Sequence, residues 1–213
     1  MRATLAVLTR DPTPGRVKTR LIPALGAEGA ARLHWALVAE TLKRAHRSGL
    51  PVTVHLDGDL DGEFAAFLRG SGAEVVVQRS GGLGERIAGA LHGAGRRLVI
   101  GSDCPNFRPE WLQDAASDSA PVQLGPAADG GYWLLGVEGP AEPLLVDIPW
   151  STDQVLAVTM ARARAECLDV GLLPTCADVD LPADLDRLAA DPETSPRLRA
   201  TLQSIRAGLP ATG

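Results

Sequence analysis

The chain has 213 residues, of which 45% are hydrophobic, 22% are charged and only 4% are aromatic. This composition is typical of one globular domain, so we expect a single domain over residues 1–208 and a frayed tail over residues 209–213. The formal net charge of −5 argues against a nucleic-acid partner, because proteins that follow a phosphate backbone usually carry a basic face.

The cysteines and the first residues bear on location. Cys104, Cys167 and Cys176 are odd in number and scattered, so they predict neither a disulfide framework nor a metal knuckle. Cys104 is interpreted as a small buried thiol. The apolar run at residues 5–8 is too short for a signal peptide or a membrane span. We therefore expect a cytoplasmic protein without a membrane partner. Its oligomeric state stays open, with a homodimer as one option.

Short apolar runs predict the strands, and apolar residues at helical spacing predict the helices. The predicted strands cover residues 3–8, 52–56, 75–77, 97–100, 122–124 and 132–137. The predicted helices cover residues 27–47, 63–69, 83–94, 108–116, 151–167, 183–190 and 196–207, with an extended segment at 172–180. Ser151 is expected to cap the fifth of these helices, with Gln154 at the capping-box position.

The order of these elements predicts the class of fold. Strands alternate with helices in the first half of the chain, which is typical of a parallel sheet covered on both faces. The two strands between residues 122 and 137 have no helix between them, so the sheet should be mixed. Because ligands of open α/β sheets lie at the carboxyl ends of the strands, the loops after the strands are the candidate functional segments.

The loop after the first strand is a candidate phosphate site. Gly15 is followed by the cations Arg16, Lys18 and Arg20. Backbone N–H groups and cationic side chains together are suited to bind phosphate oxygens. A Walker A motif is excluded because Val17 precedes Lys18. The alternative interpretation is a basic turn that faces solvent.

The loop after the third predicted strand is rich in glycine. Gly82 and Gly84 stand at the start of a predicted helix that also carries Arg86. Glycines allow the backbone to approach a ligand closely, so these three residues are candidates for nucleotide or phosphate binding. A flexible turn that simply starts the helix explains the same pattern.

Three aspartates are candidate metal ligands. Asp103 directly follows an apolar strand, where one carboxylate can bind Mg²⁺ or Mn²⁺ together with ligand phosphates. Alternation places Asp178 and Asp180 on one face of an extended segment, where they could complete the site. The alternatives are that all three cap turns or helices. The histidines lack ligand spacing, and His34 and His46 are interpreted as ordinary surface or packing residues.

The loop between the two adjacent strands contains Asp129, Gly130 and Gly131. Asp-Gly-Gly between two strands is a strong signal for a hairpin turn. The functional alternative places the Asp129 carboxylate and the glycine backbone against the group that is transferred.

Together, these segments resemble the bacterial family "transferase 1, rSAM/selenodomain-associated" of the glycosyltransferase-A fold, within the nucleotide-diphospho-sugar transferase superfamily. The resemblance implies a Rossmann-like, three-layer α/β/α fold with a mixed, mainly parallel sheet that binds a nucleotide at its N-terminal half. The segments that carry it, in family order, are PTPGRVKTRL at 12–21, GSDCP at 101–105, LGPAADGGY at 124–132, PWST at 149–152 and DVD at 178–180.

The resemblance also implies roles for individual residues. Asp103 stands at the metal aspartate of the superfamily and Asp180 near the second metal position, while Asp129 lies by the acceptor or transferred group. Asp103 and Asp129 are therefore the candidate catalytic residues. The residues expected near the acceptor or sugar are Gly130, Gly131, Tyr132, Trp150 and Ser151.

Three functions are compatible with this pattern. The first is a metal-dependent glycosyltransferase that uses a nucleotide-diphospho-sugar and a small-molecule acceptor. The second is a nucleotidyltransferase that joins NMP from an NTP to a phosphorylated small molecule and releases pyrophosphate. The third is a non-catalytic nucleotide-binding protein. It is suggested by Gly82 and Gly101, which stand at positions where related sequences have acids. A further departure from the family is Leu181, which stands in place of a threonine.

Overall fold

A computed structural model describes residues 3–208, and a seven-stranded sheet forms its centre. The strand order is β3-β2-β1-β4-β6-β5-β7, and β6 alone runs antiparallel to its two neighbours. The predicted mixed, mainly parallel sheet is therefore confirmed. The strands are β1 (Thr4–Arg10), β2 (Val52–Asp57), β3 (Glu74–Val77), β4 (Arg96–Ile100), β5 (Val122–Pro126), β6 (Tyr132–Glu138) and β7 (Val170–Leu172).

Helices cover both faces of this sheet, which confirms the three-layer α/β/α arrangement. Helices α1, α2 and α4 pack on one face, and α3, α5 and α6 pack on the other. Helices α7 and α8 pack against α1. The helices are α1 (Ile22–Arg47), α2 (Glu63–Gly70), α3 (Leu83–Ala90), α4 (Pro109–Ser117), α5 (Glu142–Leu145), α6 (Val155–Ala165), α7 (Pro182–Ala190) and α8 (Pro196–Ala207).

Alternation along the central strands explains why the sheet is buried on both sides. In β1, Leu5 and Val7 belong to the core under α1, whereas Ala6 belongs to the core under α3. Leu98 and Val99 divide β4 in the same way. Successive side chains of a strand point to opposite faces of the sheet, so alternate residues of a continuous apolar run belong to different cores.

Three helix boundaries differ from the prediction by more than two residues. Helix α6 begins at Val155 and not at Ser151, because Ser151 takes a left-handed conformation with φ of 66° and lies in the preceding turn. Helix α3 ends at Ala90, before the residue Gly93 with φ of 130°. Helix α1 begins at Ile22, and Gly26 with φ of 69° interrupts it just before the predicted start. The short helix α5 was not predicted, because four residues show too little periodicity.

The remaining predictions about the chain as a whole concern its ends and its environment. The predicted tail at residues 209–213 lies outside the described residues. Among residues 3–208, no helix combines the length and the apolar character that crossing a bilayer requires.

The topology determines which loops meet. Strands β1 and β4 are neighbours in the sheet, and from β1 the order runs to β2 and β3 on one side and to β4 and β6 on the other. Such a switch point opens a crevice at the carboxyl ends of the two strands. The loops after β1 and β4 therefore face the same space, although about 90 residues separate them along the chain.

The core around β4 provides a test of this architecture. Leu98 is fully buried at the centre of β4. We expect Leu98→Ala to lower the free energy of unfolding by about 2–5 kcal/mol, because a large cavity would remain in the core. Urea denaturation followed by circular dichroism measures this change. Leu172→Ala is the control, since Leu172 on the edge strand β7 is 57% exposed. Equal losses for both variants would contradict the placement of β4 at the centre.

Candidate functional site

A cavity of about 740 Å³ lies at the carboxyl ends of β1 and β4, at the switch point of the sheet. Most of the predicted site residues line it, namely Arg16, Lys18, Arg20, Arg86, Asp103, Asp129, Gly131, Tyr132, Trp150, Ser151, Asp178 and Asp180. The predicted Gly15, Gly82, Gly84 and Gly130 are not among its lining residues. Residues chosen from six separate segments of the chain thus meet at one site.

The contact between Lys18 and Asp103 joins the loops that follow β1 and β4. Lys18 Nζ lies 2.5 Å from Asp103 Oδ1, and it donates a second hydrogen bond to the carbonyl oxygen of Val179 at 2.6 Å. The Lys18 side chain is only 4% exposed. Its backbone is in the left-handed region with φ of 46°, a conformation that is uncommon for residues other than glycine and is often found at functional sites.

The segment that contains Asp178 and Asp180 is placed by the residue between them. Val179 is buried in the core that α1 forms with α7 and α8, and its backbone N–H donates to the carbonyl oxygen of Asp103 at 2.9 Å. The flanking Asp178 and Asp180 both line the cavity. Asp180 Oδ2 accepts a hydrogen bond from Arg20 Nη1 at 2.8 Å. The predicted acids and cations therefore share one rim.

The cations of the rim influence the ionisation of its acids. Partial loss of water contact inside the cavity raises the pKa of Asp103, but the ammonium group of Lys18, with His34 and Arg10, outweighs this effect and brings the pKa below its ordinary value. Asp178 behaves in the opposite way, because burial and the neighbouring Asp129 raise its pKa. Asp103 is therefore a stable anion, whereas Asp178 has the higher proton affinity.

The chemistry of these donors is compatible with a divalent ion. The Asp103 side chain is 54% exposed, so its carboxylate is accessible from the cavity. Within residues 3–208, no three side chains of the types His, Cys, Asp and Glu form a group that could bind a metal by themselves. Mg²⁺ usually needs only one or two carboxylates, with phosphates and water as the other ligands. The site thus fits an ion that is shared with a nucleotide.

The loop at Asp129 forms the predicted hairpin turn, and it also borders the cavity. It is a hairpin turn, in which Asp129 Oδ1 accepts a hydrogen bond from the N–H of Gly131 at 2.9 Å. Gly130 takes φ of 87°, and a β-carbon there would collide with the backbone of Asp153. Asp129 and Gly131 also line the cavity. The turn therefore brings an exposed carboxylate to the cavity and requires glycine for a structural reason.

The glycine-rich loop before α3 is organised by internal contacts. Arg86 donates to Asp57 at 3.1 Å, to Gln78 at 3.0 Å and to the carbonyl oxygen of Gly81 at 2.9 Å. The N–H of Gly82 donates to the Glu85 carboxylate at 2.8 Å. The roles of Gly82, Gly84 and Arg86 in nucleotide binding therefore stay predictions, since other contacts explain the loop.

Aromatic side chains line part of the cavity. Tyr132 and Trp150 meet edge to face, with ring centroids 6.4 Å apart. Trp150 also covers the start of α3, where a β-carbon on Gly84 would lie 3.3 Å from its indole ring. Trp133 stacks on Phe107 at 5.5 Å. Phe107 is buried in the core, whereas Tyr132, Trp133 and Trp150 line the cavity and add apolar surface to it.

Sequence reasoning missed two classes of lining residue. His34 was interpreted as an ordinary surface or packing residue. It is packed, with 5% exposure, and it also lines the cavity. Its Nε2 atom lies 3.0 Å from the carbonyl oxygen of Arg10, and burial lowers its pKa. Thr152 and Asp153 line the cavity as well, in the turn before α6 that was predicted to be helical. The apolar residues at helical spacing around His34 could have indicated that it is buried, but not that it lies beside the cavity.

Comparison with known proteins defines the class of the fold. A candidate nucleotide-diphospho-sugar transferase from Desulfovibrio desulfuricans G20 is 28% identical, with a TM-score of 0.86 over 96% of this chain and 95% of that one. The inositol-1-phosphate CTP transferase of T. maritima is 14% identical, with a TM-score of 0.56 over 99% and 98%. Rv0371c of Mycobacterium tuberculosis H37Rv, in complex with manganese, is 18% identical, with a TM-score of 0.50 over 88% and 97%.

The chain thus has the fold of nucleotide-utilising transferases, which confirms the predicted enzyme class at that level. It belongs to the family DUF2064, described as "uncharacterized protein conserved in bacteria", which matches residues 40–152 and so more than half of the chain. The search of curated proteins found no match. The association with radical-SAM and selenodomain proteins in the predicted family name stays a prediction.

The buried His34 should make the free energy of unfolding depend on pH. Because the pKa of His34 lies below its ordinary value of 6.5 in the folded protein, the unfolded chain takes up this proton first as the pH falls. His34 therefore lowers the free energy of unfolding as the pH falls below 6.5, by at most about 1.4 kcal/mol per pH unit. Urea titrations at about pH 7.5 and about pH 5.5 measure the loss, which should be smaller in His34→Gln. An unchanged loss in that variant would exclude a contribution of His34.

Proposed function

We propose that this protein is a metal-dependent glycosyltransferase that uses a nucleotide-diphospho-sugar donor. The observation that carries the proposal is the 2.5 Å contact of Lys18 with Asp103 inside a cavity that also contains the Asp129 hairpin. Phosphate-binding cations, a metal carboxylate and an acceptor-side carboxylate are the three parts that such a reaction needs. The cavity volume of about 740 Å³ is also in the usual range for small-molecule sites.

The donor's diphosphate would bind at the loop after β1. Arg16 is exposed, lines the cavity and lies two residues before Lys18. Arg10 and Arg20 line the same cavity. A guanidinium group binds two phosphate oxygens at once, so these arginines are suited to orient the diphosphate. The nucleoside would then extend toward the N-terminal half of the sheet.

Asp103 would bind the metal, with Asp180 or Asp178 as a second carboxylate. When bound, Mg²⁺ or Mn²⁺ supplies positive charge that stabilises the departing diphosphate. Lys18 and Arg16 would add charge on the same phosphates. The neighbour from Mycobacterium tuberculosis that contains manganese supports a divalent ion in this fold.

The acceptor would bind beside the Asp129 hairpin. In glycosyl transfer, an acceptor oxygen forms a bond to the anomeric carbon, the bond from that carbon to the diphosphate breaks, and the acceptor proton passes to a base. Asp129 and Asp178 are close enough to interact electrostatically, and burial gives Asp178 a raised pKa. With Asp180 as the second metal ligand, Asp178 would be the base that takes this proton, because a raised pKa makes a carboxylate a more effective base near neutral pH. Gly130, Gly131, Tyr132, Trp150 and Ser151 would shape this half of the cavity.

Nucleotidyl transfer is the second candidate. It would join NMP from an NTP to a phosphorylated acceptor and release pyrophosphate. Two observations favour it, namely the shared fold with the inositol-1-phosphate CTP transferase and the four cations Arg10, Arg16, Lys18 and Arg20 along the cavity. A non-catalytic nucleotide-binding protein is the third candidate, suggested by Gly82 and Gly101.

The released product distinguishes these functions. We expect nucleoside diphosphate to accumulate when the protein is incubated with Mg²⁺, a suitable nucleotide sugar and a panel of small-molecule acceptors. Chromatography of the nucleotides measures this release. Pyrophosphate release from an NTP would support nucleotidyl transfer instead. Turnover of any substrate would exclude the non-catalytic alternative, and lack of turnover across both panels would contradict both enzymatic functions.

Asp103 is the most sensitive position of the proposed site. We expect Asp103→Asn to reduce metal-dependent turnover by about 10²–10³-fold, because the charge that binds the metal is lost while the side-chain volume is kept. Initial rates over a range of Mg²⁺ concentrations measure this effect. Asp186→Asn is the control, since Asp186 pairs with Arg206 on the surface and is not among the residues that line the cavity. Full activity of Asp103→Asn would remove Asp103 from the mechanism.

Arg16 tests the phosphate-binding role of the loop after β1. We expect Arg16→Ala to weaken nucleotide binding by about 1.5–3 kcal/mol, which is the range for a hydrogen bond to a charged group. Isothermal titration calorimetry measures the affinity. The matched control is Arg197→Ala, because Arg197 is an exposed arginine on α8. If both variants bind as tightly as the parent protein, the loop does not bind the phosphates through Arg16.

A further inference from the structure

Each of two acids proposed for the metal contacts a cation proposed for the phosphates. Lys18 Nζ lies 2.5 Å from Asp103 Oδ1, and Arg20 Nη1 lies 2.8 Å from Asp180 Oδ2. All four side chains line the same cavity. We call these two contacts the crossed pairs, because each joins a group that would bind the metal to a group that would bind the diphosphate.

The crossed pairs differ in strength. The Lys18 side chain is 4% exposed, and it also donates to the carbonyl oxygen of Val179, so this ammonium group has little access to water as a substitute partner. The Arg20 side chain is 65% exposed. Exposed ion pairs contribute little, because water and salt screen both charges. Lys18 with Asp103 is therefore the dominant crossed pair.

A single ligand would leave one charge of each pair without its partner. A divalent ion at Asp103 would bring like charge against the ammonium group of Lys18. A diphosphate at Lys18 would face the Asp103 carboxylate in the same way. When both ligands bind, the phosphates contact the cations and the metal contacts the carboxylates, so no charge loses its partner.

We propose that the crossed pairs make the binding of metal and diphosphate cooperative, so that the cavity binds the two together and discriminates against each one alone. Thermodynamic linkage requires this coupling to be reciprocal. Each ligand must therefore raise the affinity of the other by the same factor. This inference rests on the proposed function, and it applies equally to the glycosyl and the nucleotidyl form.

Manganese and inorganic pyrophosphate are suitable probes, because neither depends on the identity of the base, the sugar or the acceptor. Electron paramagnetic resonance measures the affinity of the protein for Mn²⁺. Pyrophosphate also binds Mn²⁺ in solution, so affinities are compared at equal free Mn²⁺. On that basis, we expect pyrophosphate to raise the Mn²⁺ affinity by about fivefold or more. Calorimetry should show a matching rise in pyrophosphate affinity when Mn²⁺ replaces EDTA. These measurements do not require turnover.

Removing one charge of the dominant pair should strengthen the binding of the single ligand that contacts the remaining charge. In Lys18→Met, Mn²⁺ alone should bind more tightly than to the parent protein, because the competing ammonium group is gone, and added pyrophosphate should help less. In Asp103→Asn, pyrophosphate without metal should bind more tightly, because Lys18 loses its anionic partner. Asp103→Asn keeps the side-chain volume, so it remains informative if Lys18→Met does not fold.

The second pair provides a graded comparison and a matched control. Arg20→Met should act as Lys18→Met does, but more weakly, because Arg20 is exposed. Arg206→Met removes a similar exposed pair, since Arg206 Nη2 lies 2.7 Å from Asp186 Oδ1 outside the cavity lining. It should leave both affinities unchanged.

Two results would overturn the inference. One is that Mn²⁺ and pyrophosphate bind the parent protein independently of one another, which would leave the proposed function intact. The other is that Lys18→Met binds Mn²⁺ alone no better than the parent protein does. If neither the parent protein nor any variant binds Mn²⁺ or pyrophosphate, alone or together, both the inference and the proposed function are overturned.

Discussion

The ion pair between Lys18 and Asp103 is the contact on which the arrangement of the cavity depends. It joins the loop after β1 to the end of β4, and the same ammonium group binds the carbonyl oxygen of Val179. Three segments that are distant in sequence are thus connected through one buried side chain. An almost buried charge needs partners of this kind, because burial without them costs several kcal/mol.

The sheet topology makes that contact possible. β1 and β4 lie side by side at the switch point and run parallel, so the loops that follow them lie at the same edge of the sheet. The segment at residues 178–180 is brought to the same place by the burial of Val179 in the core of α1, α7 and α8. The site therefore depends on the packing of the last two helices as well as on the sheet.

The two charge types of the cavity also explain why one site supports two candidate reactions. Cations beside a metal carboxylate stabilise a diphosphate that leaves from a sugar, and they stabilise pyrophosphate that leaves from an NTP. The difference lies at the acceptor side, where the Asp129 hairpin and the rings of Tyr132 and Trp150 line the cavity. Under both proposals the phosphate side would be the same, and the donor and acceptor that bind the rest of the cavity would decide which reaction takes place.

The sequence by itself determined the α/β class, most strands and helices, and the loops that contain the site, because side-chain periodicity and the position of Asp103 and Lys18 after apolar runs are local properties. It did not determine the early end of α3 or the turn at Ser151, where positive φ values replace helix. Only the tertiary structure decided that Lys18 contacts Asp103 and that His34 lines the cavity. Such contacts depend on strand order and helix packing, which no local pattern specifies.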